Sequence, residues 1–182
     1  MSDNTSQKNI APLYGLINGG VSVVITVCLY LGGVKAFMSS LSWIGLAAPI
    51  VVCVLGGLQL RKLQGGYLDF GEALKTTFLI LVLGALLSTI FDYILFNYID
   101  VPFRQALMQE TAEKAELMME KLGMPQSQID KATEQMLNGN NYSMGNLFLG
   151  FAFRCIGWFV VALIVSAIIK RKRPPFENSF NQ

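Results

Sequence analysis

Four apolar blocks, each close to the length that crosses a bilayer, constrain this chain more than any other feature. A hydrocarbon core of ~30 Å takes about 20 helical residues, and the sequence supplies such runs at about 11–33, 41–60, 73–99 and 144–169. Backbone amides in lipid have no water to bond, so a run of this kind must satisfy them within its own helix. The expectation is an all-α membrane protein: four transmembrane helices in a single polytopic domain covering 1–182. Composition agrees, because 53% of the residues are hydrophobic and 14% charged, against roughly 25% charged in soluble proteins. The first block reads as a span rather than a cleaved signal. It exceeds the ~7–15 residues of a signal's apolar region and follows the polar stretch MSDNTSQKN, with no A-x-A-like site after it.

Basic residues beside the spans set an orientation, since short basic loops are retained on the cytoplasmic side. With both termini on one side, that side receives Lys8, Arg61, Lys62, Lys75, Lys170, Arg171, Lys172 and Arg173, eight in all, against five on the other: Lys35, Arg104, Lys114, Lys121 and Lys131. This places both termini, and a basic tail over 170–182, in the cytoplasm.

Between the third and fourth blocks lies a polar segment of about 100–142, read as an extramembrane helical hairpin. Asp100 caps its first helix, with Pro102 in the first turn where a missing N–H costs nothing. Phe103, Leu107, Ala115, Met118 and Leu122 recur at helical spacing, and Gly123 provides the stop. Ser127 and Asp130 make an S-x-x-D start for a second helix with Ile129, Ala132 and Met136 on one face, ending at Gly139. Seven acids (Asp100, Glu110, Glu113, Glu116, Glu120, Asp130, Glu134) outnumber four bases here, so the surface is a poor match for anionic lipid. Its apolar face is expected to pack on the membrane domain or lie at the interface, with a repacking Met-rich platform for a partner as the functional alternative.

Catalytic and metal chemistry find few candidates. Histidine is absent, which removes the commonest general base and metal ligand. The cysteines, Cys28, Cys53 and Cys155, all fall inside apolar blocks, where they behave as small hydrophobes. There is no G-x-S-x-G nucleophile turn, no phosphate loop ending in G-K-[ST], and no clustered carboxylates beyond Asp69 with Glu72. The chain is therefore expected to be no enzyme, with no cofactor and no metal. The basic KRKR run after the last block reads as a stop-transfer signal rather than a nucleic-acid site.

Small residues suggest close helix contacts: Gly15 and Gly19 form a G-x-x-x-G in the first span, and Gly84 with Ser88 a second small pair in the third. Between the second and third spans, Gly65 and Gly66 suit a turn of positive φ, and Asp69 and Glu72 suit the N-terminal end of the following helix, where the dipole favours an acid. The same four residues, Gly65, Gly66, Asp69 and Glu72, form the candidate cytoplasmic ligand loop.

Arg154 is the exception inside the apolar blocks. An unpaired arginine at mid-span costs about 2.5–3.5 kcal/mol on insertion scales, so it should face protein or water and have a partner. Arg154 lies ten residues beyond Met144 and Asp92 seven before Ile99, depths of ~15 and ~10 Å from the same face at about 1.5 Å per residue. Asp92 of the third span is thus the candidate partner of Arg154 in the fourth, with Asn97, Tyr93 or backbone carbonyls taking the remaining donors.

The motifs GYLDFGEALKTTF, FNYIDVPF and GMPQSQIDKATEQM, in that order, resemble the bacterial domain-of-unknown-function family numbered 4199 from about Tyr14 to Arg173. The resemblance implies a small four-helix integral protein of the bacterial inner (cytoplasmic) membrane and carries over no catalytic residue. The expected function is then a non-catalytic accessory or scaffold subunit, acting on a protein partner or a second copy of itself through its helices and acidic hairpin. The alternative is a small carrier for an ion, lipid or lipid-linked group that uses Arg154. Beyond the lipid bilayer and such a partner, no nucleic acid is expected to bind.

Overall fold

The computed structural model describes residues 3–138 and 143–172. Its helices are α1 (Asp3–Leu31), α2 (Gly33–Phe37), α3 (Ile44–Leu63), α4 (Phe70–Ile94), α5 (Val101–Lys121), α6 (Gln126–Asn138) and α7 (Met144–Ile169), with a 3₁₀ turn at Ser40–Trp43 and a π turn at Leu95–Ile99. Four stretches are long and apolar enough to span a membrane: Asn9–Leu31, Ser40–Leu63, Phe70–Ile99 and Met144–Ile169. Between 22% and 33% of the most apolar window of each is buried inside the protein, so most apolar residues of each span lie outside its fully buried interior. The protein is an all-α integral membrane protein.

The most extensive packing joins α1 and α4, which run parallel, and small residues make it close. A Cβ on Gly19 would lie 2.5 Å from a Leu87 methyl, and one on Gly84 would lie 2.6 Å from the Asn18 amide nitrogen. The small-residue pairs therefore serve contacts within one chain, where the absence of a side chain lets backbones approach. Helix α4 also packs on α7 and α3, while α3 packs on α1 and α7.

The bundle is tight at the end where α1 begins and α7 ends. There Ile10, Leu60, Leu68, Ala73, Ile80, Val165 and Ile169 form a buried core. Polar links reinforce it. The buried hydroxyls of Thr77 and Ser166 lie 2.9 Å apart, and Thr77 also donates to the Ala73 carbonyl at 2.9 Å. Interhelical bonds of this kind are worth about 0.6 kcal/mol on average within membrane bundles. The turn after α3 uses Gly65 and Gly66 at φ +73° and +91°, as a left-handed turn requires. Beyond it the backbones of Leu68 and Arg171 exchange two hydrogen bonds, both 2.9 Å, tying the α3–α4 loop to the residues after α7. Arg61 Nη1 donates to the Ile169 carbonyl at 3.3 Å, a cation at a helix C-terminus.

At the opposite end the hairpin is helical. The Asp100 carboxylate accepts from the Phe103 amide at 2.9 Å, and Gly123 stops α5 at φ +74°. Leu95, Phe96 and Leu107 are buried there with Tyr30, Phe37 and Phe103 packed around them, so the first turns of α5 sit on the span ends. The stripe expected along α5 holds for its first half only: Leu107 is buried, whereas Met118 and Leu122 are exposed. Ala112 is the other buried residue of α5, and Ile129 is buried on α6. Helix α6 starts at Gln126, one residue before the expected Ser127, because the Pro125 carbonyl takes the Gln128 and Ile129 amides at 2.9 and 3.2 Å. The expected stop at Gly139 lies outside the described residues, as does the tail beyond Lys172.

Candidate functional site

Toward the hairpin end the packing loosens and a cavity of about 640 Å³ opens within the spans. All four spanning segments contribute to its wall. Helix α1 supplies Asn18, Ser22 and Thr26 at four-residue spacing, one polar stripe within its membrane-spanning part. Helix α4 supplies Ser88 and Asp92, again four apart, and α7 supplies Arg154 and Trp158. Helix α3 contributes Gly45 and Pro49. Proline has no N–H, so the Gly45 carbonyl lacks its usual helical donor at this wall.

Asp92 and Arg154 thus line one cavity from neighbouring helices. Asp92 is half-buried and Arg154 exposed. They share this wall with no hydrogen bond or ion pair between them. The residues expected to complete the arginine's donors are engaged elsewhere. Asn97 Oδ1 accepts from Arg104 Nη1 at 2.8 Å, Asn97 Nδ2 donates to the Tyr93 carbonyl at 3.0 Å, and the Tyr93 ring meets that of Tyr98 at 5.8 Å. Asn97 lies past the start of the π turn and faces α5 instead.

Other polar groups around the cavity are left with bonding capacity. The Asn18 side chain is 1% exposed; its amide nitrogen donates to the Ile80 carbonyl at 3.4 Å, while Oδ1 has no partner among the described residues. Trp158 Nε1 is likewise buried and without a partner among them. The Ser22 and Thr26 hydroxyls make no hydrogen bond to a described residue. The Ser88 hydroxyl donates to the Ala85 carbonyl at 3.0 Å and keeps its lone pairs. Groups of this kind cost free energy in a low-dielectric interior unless something bonds to them.

The cavity is partly open to the outside of the bundle. Helices α3 and α7 meet near the terminal end, where a Cβ on Gly57 would lie 2.3 Å from an Ile169 methyl. Nearer the hairpin the two helices line the cavity with Gly45, Leu46, Gly157 and Val161. Of these, Leu46 is an exposed apolar side chain, so this part of the wall is apolar at the protein surface.

The candidate loop lies at the other end of the molecule. Gly65 and Gly66 form its turn, Asp69 stands before α4 in extended conformation with no side-chain capping bond, and Glu72 lies in the first turn. Both acids are exposed. Among the described residues no group of three or more histidine, cysteine, aspartate or glutamate side chains is placed to hold a metal ion.

Sequence reasoning finds the two charges but misses the rest of the wall. The available signal is the recurrence of polar residues at positions 18, 22 and 26 within a span that has no charge to draw attention to it. Trp158, four residues after Arg154, shares its helix face by the same rule.

No curated protein and no solved structure matches the chain. Over residues 13–171 it matches the family described as protein of unknown function (DUF4199), and it belongs to that family.

Proposed function

We propose that this protein is a membrane-embedded binding protein or carrier that takes up a small amphipathic molecule, an ion-bearing lipid or a lipid-linked group, in the cavity between its spans. One observation carries the reading: two opposite charges line an intramembrane space of about 640 Å³ without closing on each other. Intramembrane charges are expensive and mark ligand pathways more often than lipid-facing surface, and the volume falls within the ~300–1,000 Å³ of small-molecule sites. The orientation that goes with it has both termini in the cytoplasm, on the basic-residue count, so the cavity lies in the outer half of the membrane.

The accessory role is the second reading, supported by the exposed Leu117, Met118 and Leu122 of α5 and the turn after it, a flexible apolar surface suited to repacking against a partner. Native mass spectrometry of the protein extracted in a mild non-ionic detergent separates the two. A bound small molecule at one equivalent, lost on Arg154→Gln, is the result expected of a binding protein; a stoichiometric second protein with an empty cavity favours the accessory.

A further inference from the structure

The cavity's charges are balanced, and that balance narrows its ligand. A carboxylate on the wall repels an anion, and an arginine on the wall repels a cation, so a ligand of either sign alone would meet one favourable and one unfavourable charge. Here Arg154 and Asp92 are held by different helices on the wall of one space, with a half-buried acid and an exposed base. Opposite charges at contact attract far more strongly in a protein interior than in water, so a direct ion pair would form if the cavity were there only to brace the helices. The complement of this arrangement is a molecule bearing both signs.

Resting on the binding reading above, we infer that the ligand is a zwitterion carrying a primary ammonium and an oxyacid anion, of the phosphoethanolamine type, with the ammonium at Asp92 and the anion at Arg154. The donor and acceptor inventory supports the assignment. A primary ammonium has three N–H donors; on the same cavity wall as the Asp92 carboxylate, Ser88 has free lone pairs and Ser22 and Thr26 have unengaged hydroxyls. A phosphate presents acceptors in the plane that suits the arginine fork. Arg154 is the exposed member of the pair and shares the cavity wall with Leu46 of α3 and Gly157 and Val161 of α7. A partly open cavity with this wall admits the head of a phosphatidylethanolamine with its acyl chains left in the bilayer; a soluble phosphoethanolamine head would reach the same groups from water.

The chain has two tryptophans, Trp43 and Trp158, so Trp43→Phe leaves Trp158 in the cavity wall as the reporter. The full-length protein in non-ionic detergent is titrated with phosphatidylethanolamine, with phosphatidylglycerol, which has the phosphodiester without the ammonium, and with soluble glycerophosphoethanolamine, while Trp158 fluorescence is followed. Phosphatidylethanolamine should bind about tenfold or more tightly than phosphatidylglycerol, the worth of one charge-assisted hydrogen bond. Asp92→Asn should bring that ratio close to one and leave phosphatidylglycerol binding in place, and Arg154→Gln should weaken both. Competition by glycerophosphoethanolamine assigns recognition to the head alone; no competition, with the tenfold preference kept, assigns it to the lipid. Both outcomes uphold a zwitterion. Equal binding of the two lipids to the unaltered cavity overturns the zwitterion and leaves the binding reading standing. A Trp158 signal unmoved by every probe sinks the binding reading, and this inference with it. The comparison of lipids does not depend on either charge variant folding.

Discussion

The Tyr30 hydroxyl donates to the Asp100 carboxylate at 2.8 Å, joining the last turn of α1 to the residue that caps α5. The same carboxylate accepts the Phe103 amide, so one side chain both starts the hairpin and anchors it to the first span. The Tyr30 and Phe103 rings meet edge to face at 4.9 Å beside this bond. Loss of an N-cap costs about 0.5–2 kcal/mol. Asp100→Ala should therefore speed amide exchange through the first two turns of α5 strongly, and Tyr30→Phe, which removes one bond and keeps the ring, should do so weakly. Hydrogen exchange followed by mass spectrometry reads both. Fast exchange over 103–121 in the unaltered protein would show that the hairpin is not a stable helix at all.

The α1–α4 contact gives a second expectation. A Cβ on Gly19 meets Leu87 Cβ at 2.7 Å, whereas one on Gly20 meets nothing within 4 Å. Gly19→Val should lower the melting temperature in detergent, with an overpacking cost of about 1–3 kcal/mol. Gly20→Ala should leave it unchanged or raise it, since alanine is the better helix former by ~1 kcal/mol. Equal effects at the two positions would mean that α1 and α4 do not approach as described.

The two cavity charges should be energetically coupled. Residues coupled through a shared cavity show interaction energies of about 0.5–3 kcal/mol in double-mutant cycles. Asp92→Asn and Arg154→Gln, alone and together, should give a cycle in which the double variant is more stable than the sum of the single losses predicts. Thermal unfolding in detergent measures it, and additive losses would remove the interaction.

Topology is tested by reporter fusion. Alkaline phosphatase joined near Asn140 should be active and one joined after Gln182 inactive. The reverse pattern would invert the protein, and activity at both sites would require a different number of spans.

Block length alone makes the four spans legible in the sequence, because the requirement it reflects, internal satisfaction of every backbone amide, is local. The cap at Asp100, the glycine stop at Gly123 and the left-handed turn at Gly65 and Gly66 are legible for the same reason: each depends on one or two residues. What is not legible is which faces meet. Asn97 follows Asp92 closely enough in the chain to be counted among the arginine's partners, yet it sits in the π turn at Leu95–Ile99, where the wider winding shifts the helix frame, and its side chain goes to Arg104. Leu68 and Arg171 pair through their backbones, a contact that leaves no side-chain signature. The cavity is the hardest case, since it consists of the places where four helices fail to touch, and a linear pattern records apolar faces without recording the gaps between them.

The tie between Leu68 and Arg171 closes one end of the bundle, while the cavity opens nearer the other. If a space of about 640 Å³ is made by splaying the helices over half of a ~30 Å hydrocarbon core, it adds roughly 40 Å² of cross-section in the leaflet that holds it and tapers the molecule. A tapered inclusion of this kind relieves stress in a bilayer bent toward its narrow end. The protein should accordingly partition between flat and tightly curved regions of the same membrane, enriched where the leaflet that houses the hairpin is the convex one; uniform distribution along membrane tubes pulled from vesicles would show that the taper is too slight to matter.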